Sequence, residues 1–363
     1  MNVCMISPYP PQTGGVPVHA SGLVRYLSKD NRIFIITYGR LGRKPEKNVE
    51  FLEVPVPNIK GLRGLCFFIG ALVRLRSLMK KEKINVIHCH YMHPPGTVGA
   101  LYRKLSGRRT RLIITAHGSD LLSLARGRFA GRLVRWAGNS CDRLICVSRH
   151  LAGQALVTGI SKKKLAVVYN GIDGREFPGG SREELRRELG LPARSGIVTF
   201  AGALTEEKGA DVFAILAKHL AARHPRLVFV MVGDGPERGW VKRFCRKNGL
   251  QDVVMLAGRK SHEDALKYIK ASDVLVVPSA IEGFGMSALE AAAMCVPVAA
   301  LPNGALPEIL SEHSVSENLP ALVTKIIGSD KFRGRLVSEN KRLAREFSLR
   351  KTADETEKIY KRS

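Results

Sequence analysis

A chain of 363 residues exceeds what one hydrophobic core usually supports and divides naturally into two domains. Its 45% hydrophobic and 25% charged content is ordinary for a globular protein and excludes a low-complexity chain. The net charge of +26 is uneven: residues 1–170 hold 28 Lys and Arg against 7 Asp and Glu, whereas the remainder holds 30 against 25.

Apolar runs alternate with helical patterns from end to end. In the first half, strands are expected at 3–7, 33–37, 86–90, 112–116, 144–147 and 167–169. Gly14-Gly15 follows the first of them, a flexible turn at a helix start, with His19 one turn on. The apolar stretch 65–73 is too short to span a bilayer, and Arg74, Arg76, Lys80, Lys81 and Lys83 flank it. More basic residues follow within 103–111 and 126–135. An apolar face beside a basic one suits an anionic membrane surface, and equally a domain helix with a solvated basic flank. His88, His90 and His93 suggest a metal, but no carboxylate lies nearby, and histidines lining a core or cleft are the better reading, so no metal site is expected. His117 and Asp120 follow the strand at 112–116. Residues 170–180, NGIDGREFPGG, read as an interdomain linker, and a helix is expected over 181–189.

In the second half, strands are expected at 197–201, 228–232, 253–256, 274–277 and 298–301. This βαβ repetition predicts a mostly parallel, doubly covered sheet in each half. Domains are therefore expected over 1–170 and 171–345, with a closing helix over 346–363. In such sheets ligands sit outside the carboxyl ends of the strands, which directs the motifs toward a cleft between the halves.

The densest chemistry lies at 278–297, PSAIEGFGMSALEAAAMCVP. Glu282 and Glu290 stand eight residues apart around the turn Gly283-Phe284-Gly285, between a buried strand and an Ala-rich helix. Free N–H groups at the helix start attract a phosphate, and carboxylates accept from hydroxyls. A sugar nucleotide has both. Glu290 sits among Ala and Leu, where a buried carboxylate needs a partner.

The ordered set Gly14-Gly15-Val-Pro-Val-His19, Thr115-Ala-His117-Gly-Ser-Asp120, Asn170-Gly171, Glu207-Lys208-Gly209, Val232-Gly233-Asp234-Gly235, Glu282-Gly-Phe-Gly285 with Glu290, and Leu306-Pro307-Glu308 resembles the retaining glycosyltransferases of family 4. The resemblance covers nearly the whole chain. It implies an α/β GT-B fold: two Rossmann-like domains with parallel sheets facing a central cleft, and a C-terminal helix packing back on the N-terminal domain. It implies transfer from a nucleotide diphosphate sugar to a hydroxyl of a lipid-linked or glycan acceptor, with no cofactor and no metal required. By resemblance, His117, Lys208 and Glu282 are catalytic: His117 contacts the transferred sugar, Lys208 holds the diphosphate and Glu282 lies near the sugar hydroxyls. Gly15, Gly233, Gly283, Phe284, Gly285 and Glu290 bind the donor, Glu290 at the ribose, and His19 and Asp120 stand on the acceptor side. No nucleophile is implied, so Asp142 and Asp173 are set aside.

Three positions depart from the family. Ala203 stands where the family has Arg, and Arg259 is a candidate substitute among the donor-binding residues. Cys295 stands where a glycine is usual. After Glu308 the chain passes directly to 311–320 without the family's glycine-rich loop.

Alternatives stay open. One is an epimerase or hydrolase of sugar nucleotides on the same fold. Another is a basic protein that binds nucleic acid or membrane without catalysis, although no nucleic-acid motif is visible and none is expected as a partner. Seven scattered cysteines without a CxxC pair, and an N-terminus without a signal-peptide pattern, imply a cytoplasmic protein, peripheral on the membrane's cytoplasmic face if the basic half meets lipid.

Overall fold

The computed structural model describes all residues except 13, 40–45, 58, 60–61, 108–109 and 362–363; Arg108 and Arg109 of the basic stretch thus lie outside the described residues. The chain forms two compact units: unit 1, Met1–Gly171 with Leu349–Ser363, and unit 2, Ile172–Ser348.

Unit 1 is built on seven strands: β1 Asn2–Ile6, β2 Arg32–Tyr38, β3 Val49–Val54, β4 Val86–His90, β5 Arg111–Ala116, β6 Arg143–Cys146 and β7 Leu165–Val167. Their order is β3-β2-β1-β4-β5-β6-β7, parallel throughout. The central strands read as unbroken apolar runs because helices cover both faces; Val3 to Ile6 are fully buried. β3 is absent from the sequence reading, since Glu50 and Glu53 point to solvent and interrupt the apolar pattern of an edge strand. β7 begins two residues before the expected strand.

The helix Leu349–Lys361 also belongs to unit 1. Leu349 packs directly on Gly22, where any Cβ would collide with it. Thr352 donates to the Tyr169 carbonyl at 2.8 Å, and the Tyr360 hydroxyl meets His88 Nδ1 at 2.6 Å.

Unit 2 has β8 Gly196–Ala201, β9 Leu227–Val232, β10 Val254–Gly258, β11 Val274–Val277 and β12 Val298–Ala300, in the parallel order β10-β9-β8-β11-β12. Its core includes Phe200, Phe213 and Phe229, with successive ring centroids 5.7 and 6.3 Å apart. Asp173, in the linker segment, caps a short 3₁₀ turn by accepting from the Arg175 N–H at 3.1 Å, and pairs with the Arg175 guanidinium at 2.6 Å. The helix Arg182–Glu188 follows, closed by a Ser181–Glu184 capping box. After Glu308 a 3₁₀ turn, Glu312–Ser314, places Val315 in a parallel bridge with Ala300, beside β12. Helices Leu319–Gly328 and Asp330–Ala344, which the sequence reading did not assign, complete the unit. No helix among the described residues is long and apolar enough to cross a membrane.

In each sheet the chain reverses direction beside its first strand. β1 lies between β2 and β4, and β8 between β9 and β11. These are topological switch points, where loops at the carboxyl ends diverge and leave room for a ligand.

Candidate active site

In unit 2 the switch point gathers three loops. The loop after β8 carries Ala203 and Lys208, the loop after β9 carries Gly233, and the loop after β11 carries residues 278–285. Gly233 has φ +140°, and a Cβ there would run into the Gly202 carbonyl, so only glycine lets the first two loops meet. Ala280 and Ile281 donate backbone N–H bonds to the Glu207 carbonyl at 3.0 and 3.2 Å, tying the third loop to the first.

That tie sets the charges. Lys208 Nζ donates to Glu282 Oε2 at 2.8 Å, and the Ser279 hydroxyl donates to the same oxygen at 3.1 Å. The Glu282 side chain is 10% exposed and that of Lys208 36%. The carboxylate is thus fixed in the protein while the ammonium still reaches solvent. One Glu282 oxygen holds the lysine and serine, which leaves lone pairs of the carboxylate to receive a hydroxyl.

The helix Met286–Ala293 starts at Gly285, whose φ of +100° turns the chain from loop into helix. Glu290, on its buried face, pairs with His262 Nε2 at 2.9 Å. Burial opposes charge on that imidazole, but the hydrogen bond and charge of Glu290 outweigh it and raise His262 above its ordinary value. The partner that Glu290 needed is this histidine, 28 residues earlier at the start of the helix His262–Lys270. Phe284 is buried with its ring edge-on to Phe347 at 6.0 Å, so its side chain packs and only its backbone can serve the turn. Arg259 is exposed just past β10, two strands from β8 in the sheet order.

In unit 1 the ends of β1, β4 and β5 lie side by side. Gly15 opens the helix Gly15–Leu27, exposed, and His19 is buried one turn in. His117 follows β5; its Nε2 meets His90 Nδ1 at 3.0 Å. His19 is edge-on to both, with ring centroids 5.5 Å from His90 and 5.2 Å from His117. Burial holds these imidazoles neutral: His19 is pushed down to about 4, and His90 and His117 lie well below the usual value, with their histidine neighbours adding to the effect.

Asp120 is 2% exposed and accepts backbone N–H bonds from Gly118 at 2.9 Å, Met92 at 3.1 Å and His117 at 3.2 Å. Burial raises its carboxyl even though these N–H groups pull the other way. Its work is to lock the turn that aims His117. His88 is saturated, by Tyr360 at 2.6 Å and Thr115 at 2.7 Å, and His93 meets Thr97 at 3.0 Å. His19, His90 and His117 therefore converge, with the His88 ring 4.3 Å from that of His90, while His93 bonds elsewhere. Strand order rather than sequence spacing decides this.

Comparison with known proteins follows the same division. Residues 13–175 match the family model described as Glycosyltransferase Family 4, and residues 181–339 match Glycosyl transferases group 1. An uncharacterized glycosyltransferase of Methanocaldococcus jannaschii, MJ1178, is 32% identical over 373 aligned positions, which cover 99% of this chain and 98% of the relative. The N-acetyl-alpha-D-glucosaminyl L-malate synthase of Bacillus anthracis is 25% identical, over 83% of this chain and 79% of its own. Among solved structures, Anabaena HepE, determined with UDP and glucose, superposes with a TM-score of 0.83 at 17% identity, over 99% of each chain.

Proposed function

The chain belongs to the family-4 glycosyltransferases of the GT-B fold, and from that premise we propose that it is a retaining hexosyltransferase. It takes a sugar from a nucleotide diphosphate sugar and places it on a hydroxyl of a lipid-linked or glycan acceptor. The observation that carries the reading is the pairing of Lys208 with Glu282 in the loops at the switch point of unit 2, with buried Glu290 held by His262 in the helix that follows. A departing diphosphate gathers negative charge as the glycosidic bond breaks. Lys208 Nζ supplies a fixed positive charge for it, and the N–H groups at the start of the helix Met286–Ala293 add their dipole, with no metal required for that task. Glu282 accepts from hydroxyls of the transferred sugar and Glu290 from the ribose. The sugar leaves and is received on the same face, guided by the leaving phosphate, which requires no enzymic nucleophile. His117 is assigned to the transferred sugar, and unit 1 to the acceptor.

A lipid-linked acceptor is favoured by the helix Arg63–Lys81. It buries Phe67, Ala71, Leu75 and Leu78 on one face, yet leaves Leu65, Ile69 and Val73 exposed at 57%, 54% and 62% on the other. Those three follow at intervals of four residues, a second apolar stripe that the described residues leave exposed, with Arg76 and Lys80 on the same side.

Thermal shift against a panel of UDP-, GDP- and ADP-sugars tests the donor site, with N-acetylglucosamine donors first because one relative is named for that transfer. The wild type is expected to gain several degrees with one nucleotide, and Glu290→Ala to lose that gain. No shift with any donor, or an equal shift in the variant, overturns the assignment.

A further inference from the structure

His262 opens the helix His262–Lys270, whose cap is Ser261: its hydroxyl accepts from the Asp264 N–H at 3.0 Å. A helix N-terminus carries partial positive charge, so a basic side chain is misplaced there on local grounds, where Glu263 and Asp264 fit. The position gives the imidazole a partner instead. It crosses to the helix Met286–Ala293 and meets Glu290 Oε1 at 2.9 Å. Glu290 is 6% exposed, and the other seven residues of its helix are uncharged.

The neighbouring charges are engaged elsewhere. The helix Arg182–Glu188 packs against that of His262, but its Arg182 and Arg186 pair with Asp273 at 2.8 and 2.7 Å, and its Glu188 with Lys267 at 2.8 Å. Its Glu183, Glu184 and Arg187 are exposed. β8, which also packs there, has no charged residue, and Lys260 lies over the Tyr268 ring at 5.7 Å. Burial pulls the imidazole down, yet the hydrogen bond and charge of Glu290, with the charge of Glu176, hold it above its ordinary value.

We propose that His262 is the positioning residue of the donor site: it holds Glu290 Oε1 so that Oε2 faces the ribose hydroxyls, and its positive charge offsets the carboxylate for an anionic donor. The inference rests on the assignment of Glu290 to the ribose. A buried carboxylate without its cation takes up a proton more readily, and the protonated carboxyl accepts fewer hydrogen bonds. Neutral imidazole still donates from Nε2–H, so loss of the proton removes the charge and keeps the bond. Donor affinity therefore falls as pH rises through the raised His262 value. The pair's contribution to folding is lost over the same range, because the folded value lies above the unfolded one.

The test is calorimetric titration of the full chain with UDP-, GDP- and ADP-glucose from about pH 6 to 8.5, and of the matching nucleoside diphosphate against its 2′-deoxy form at one pH. For the nucleotide sugar that binds, wild-type affinity should fall about fivefold across the range. His262→Ala should bind about tenfold more weakly at neutral pH and lose most of the preference for ribose over deoxyribose. His262→Gln, whose amide N–H reaches the same oxygen, should recover most of the affinity with a flat pH profile. A histidine that only stabilises the fold would lower the melting temperature of His262→Ala and leave the ribose preference as in the wild type, which overturns the proposal. If His262→Ala does not fold, His262→Gln decides alone, and a slope equal to that of the wild type overturns the proposal. Failure of the donor assignment looks different: no nucleotide sugar binds the wild type, or Glu290→Ala binds as well as the wild type, and either outcome removes the proposal with it.

Discussion

Lys208 is the side chain on which the proposed chemistry turns, because the family's second cation is missing at Ala203. With one fixed positive charge instead of two, the diphosphate depends more heavily on it. Removal of a preorganised charge stabiliser typically costs about 10²–10³ in turnover. Lys208→Ala is therefore expected to lower kcat by about that factor. It also strands Glu282, 10% exposed at its side chain, with Ser279 as its remaining bonded partner at that oxygen, so a loss of stability should accompany it. Lys208→Arg separates the two effects: it restores the cation for Glu282 but moves the charge, so stability should recover further than kcat. Equal activity in Lys208→Ala and the wild type would remove Lys208 from the mechanism. The candidate residues themselves were legible in the sequence, since Glu282, Glu290, Lys208 and His117 stand in recognisable motifs. Their partners were not. Lys208 and Glu282 are 74 residues apart, and Glu290 and His262 are 28 apart. Those distances close only through strand order, which a reading along the chain does not supply. Asp120 was legible in part: its place three residues after His117 suits a cap or a partner of that histidine, and its burial with bonds to the His117, Gly118 and Met92 N–H groups shows how it clamps the turn.

At the scale of elements, interior strands were readable because both faces are buried and the run is apolar without interruption. The edges of unit 1 were harder: β3, interrupted by Glu50 and Glu53, was missed and the partly exposed β7 was placed two residues late, whereas the edge strands β10 and β12 of unit 2 were read. Cys295 also belongs to this scale. The helix Met286–Ala293 ends in a Schellman arrangement: the Val296 N–H donates to the Ala291 carbonyl at 2.9 Å, and the Cys295 N–H to the Ala292 carbonyl at 3.2 Å. That geometry forces the residue between them into the left-handed region, and Cys295 has φ +62°. The family's glycine at this position is thus a backbone requirement, not a matter of space. A non-glycine residue there costs about 1–2 kcal/mol, partly offset because glycine loses more freedom on folding. Cys295→Gly should stabilise unit 2 by roughly 0.5–1 kcal/mol, and Cys295→Val should destabilise it by at least as much. Urea unfolding followed by Trp240, in a Trp136→Phe background, reads unit 2 alone, since each unit holds one tryptophan. A midpoint that is unchanged or lowered by glycine would show that the thiol makes contacts worth more than the strain.

For the whole molecule the governing quantity is the distribution of charge. Unit 1, with the returning C-terminal helix, carries 33 Lys and Arg against 10 Asp and Glu, a net of +23, whereas unit 2 carries 25 against 22, a net of +3. A field of that size acts over a Debye length of about 8 Å at physiological salt, so it matters at a surface the protein already touches. The exposed stripe of Leu65, Ile69 and Val73 supplies the contact, and the basic side chains around it supply the attraction, roughly 1 kcal/mol for each residue that nears an anionic bilayer. Nucleic acid would answer to the charge but not to the stripe. The two contributions can be taken apart by vesicle co-sedimentation. The wild type should bind anionic vesicles at low salt, release them progressively as salt rises, and ignore neutral ones. Leu65→Ser with Ile69→Ser should weaken binding with the salt slope intact, because the charges remain. Arg74→Gln with Arg76→Gln should flatten the slope. Fold should survive all four changes, since the four residues are exposed. Binding that persists undiminished in the serine variant would mean that charge alone holds the protein to the surface. No binding to anionic vesicles at low salt would remove the membrane from the account and return the acceptor to a soluble glycan.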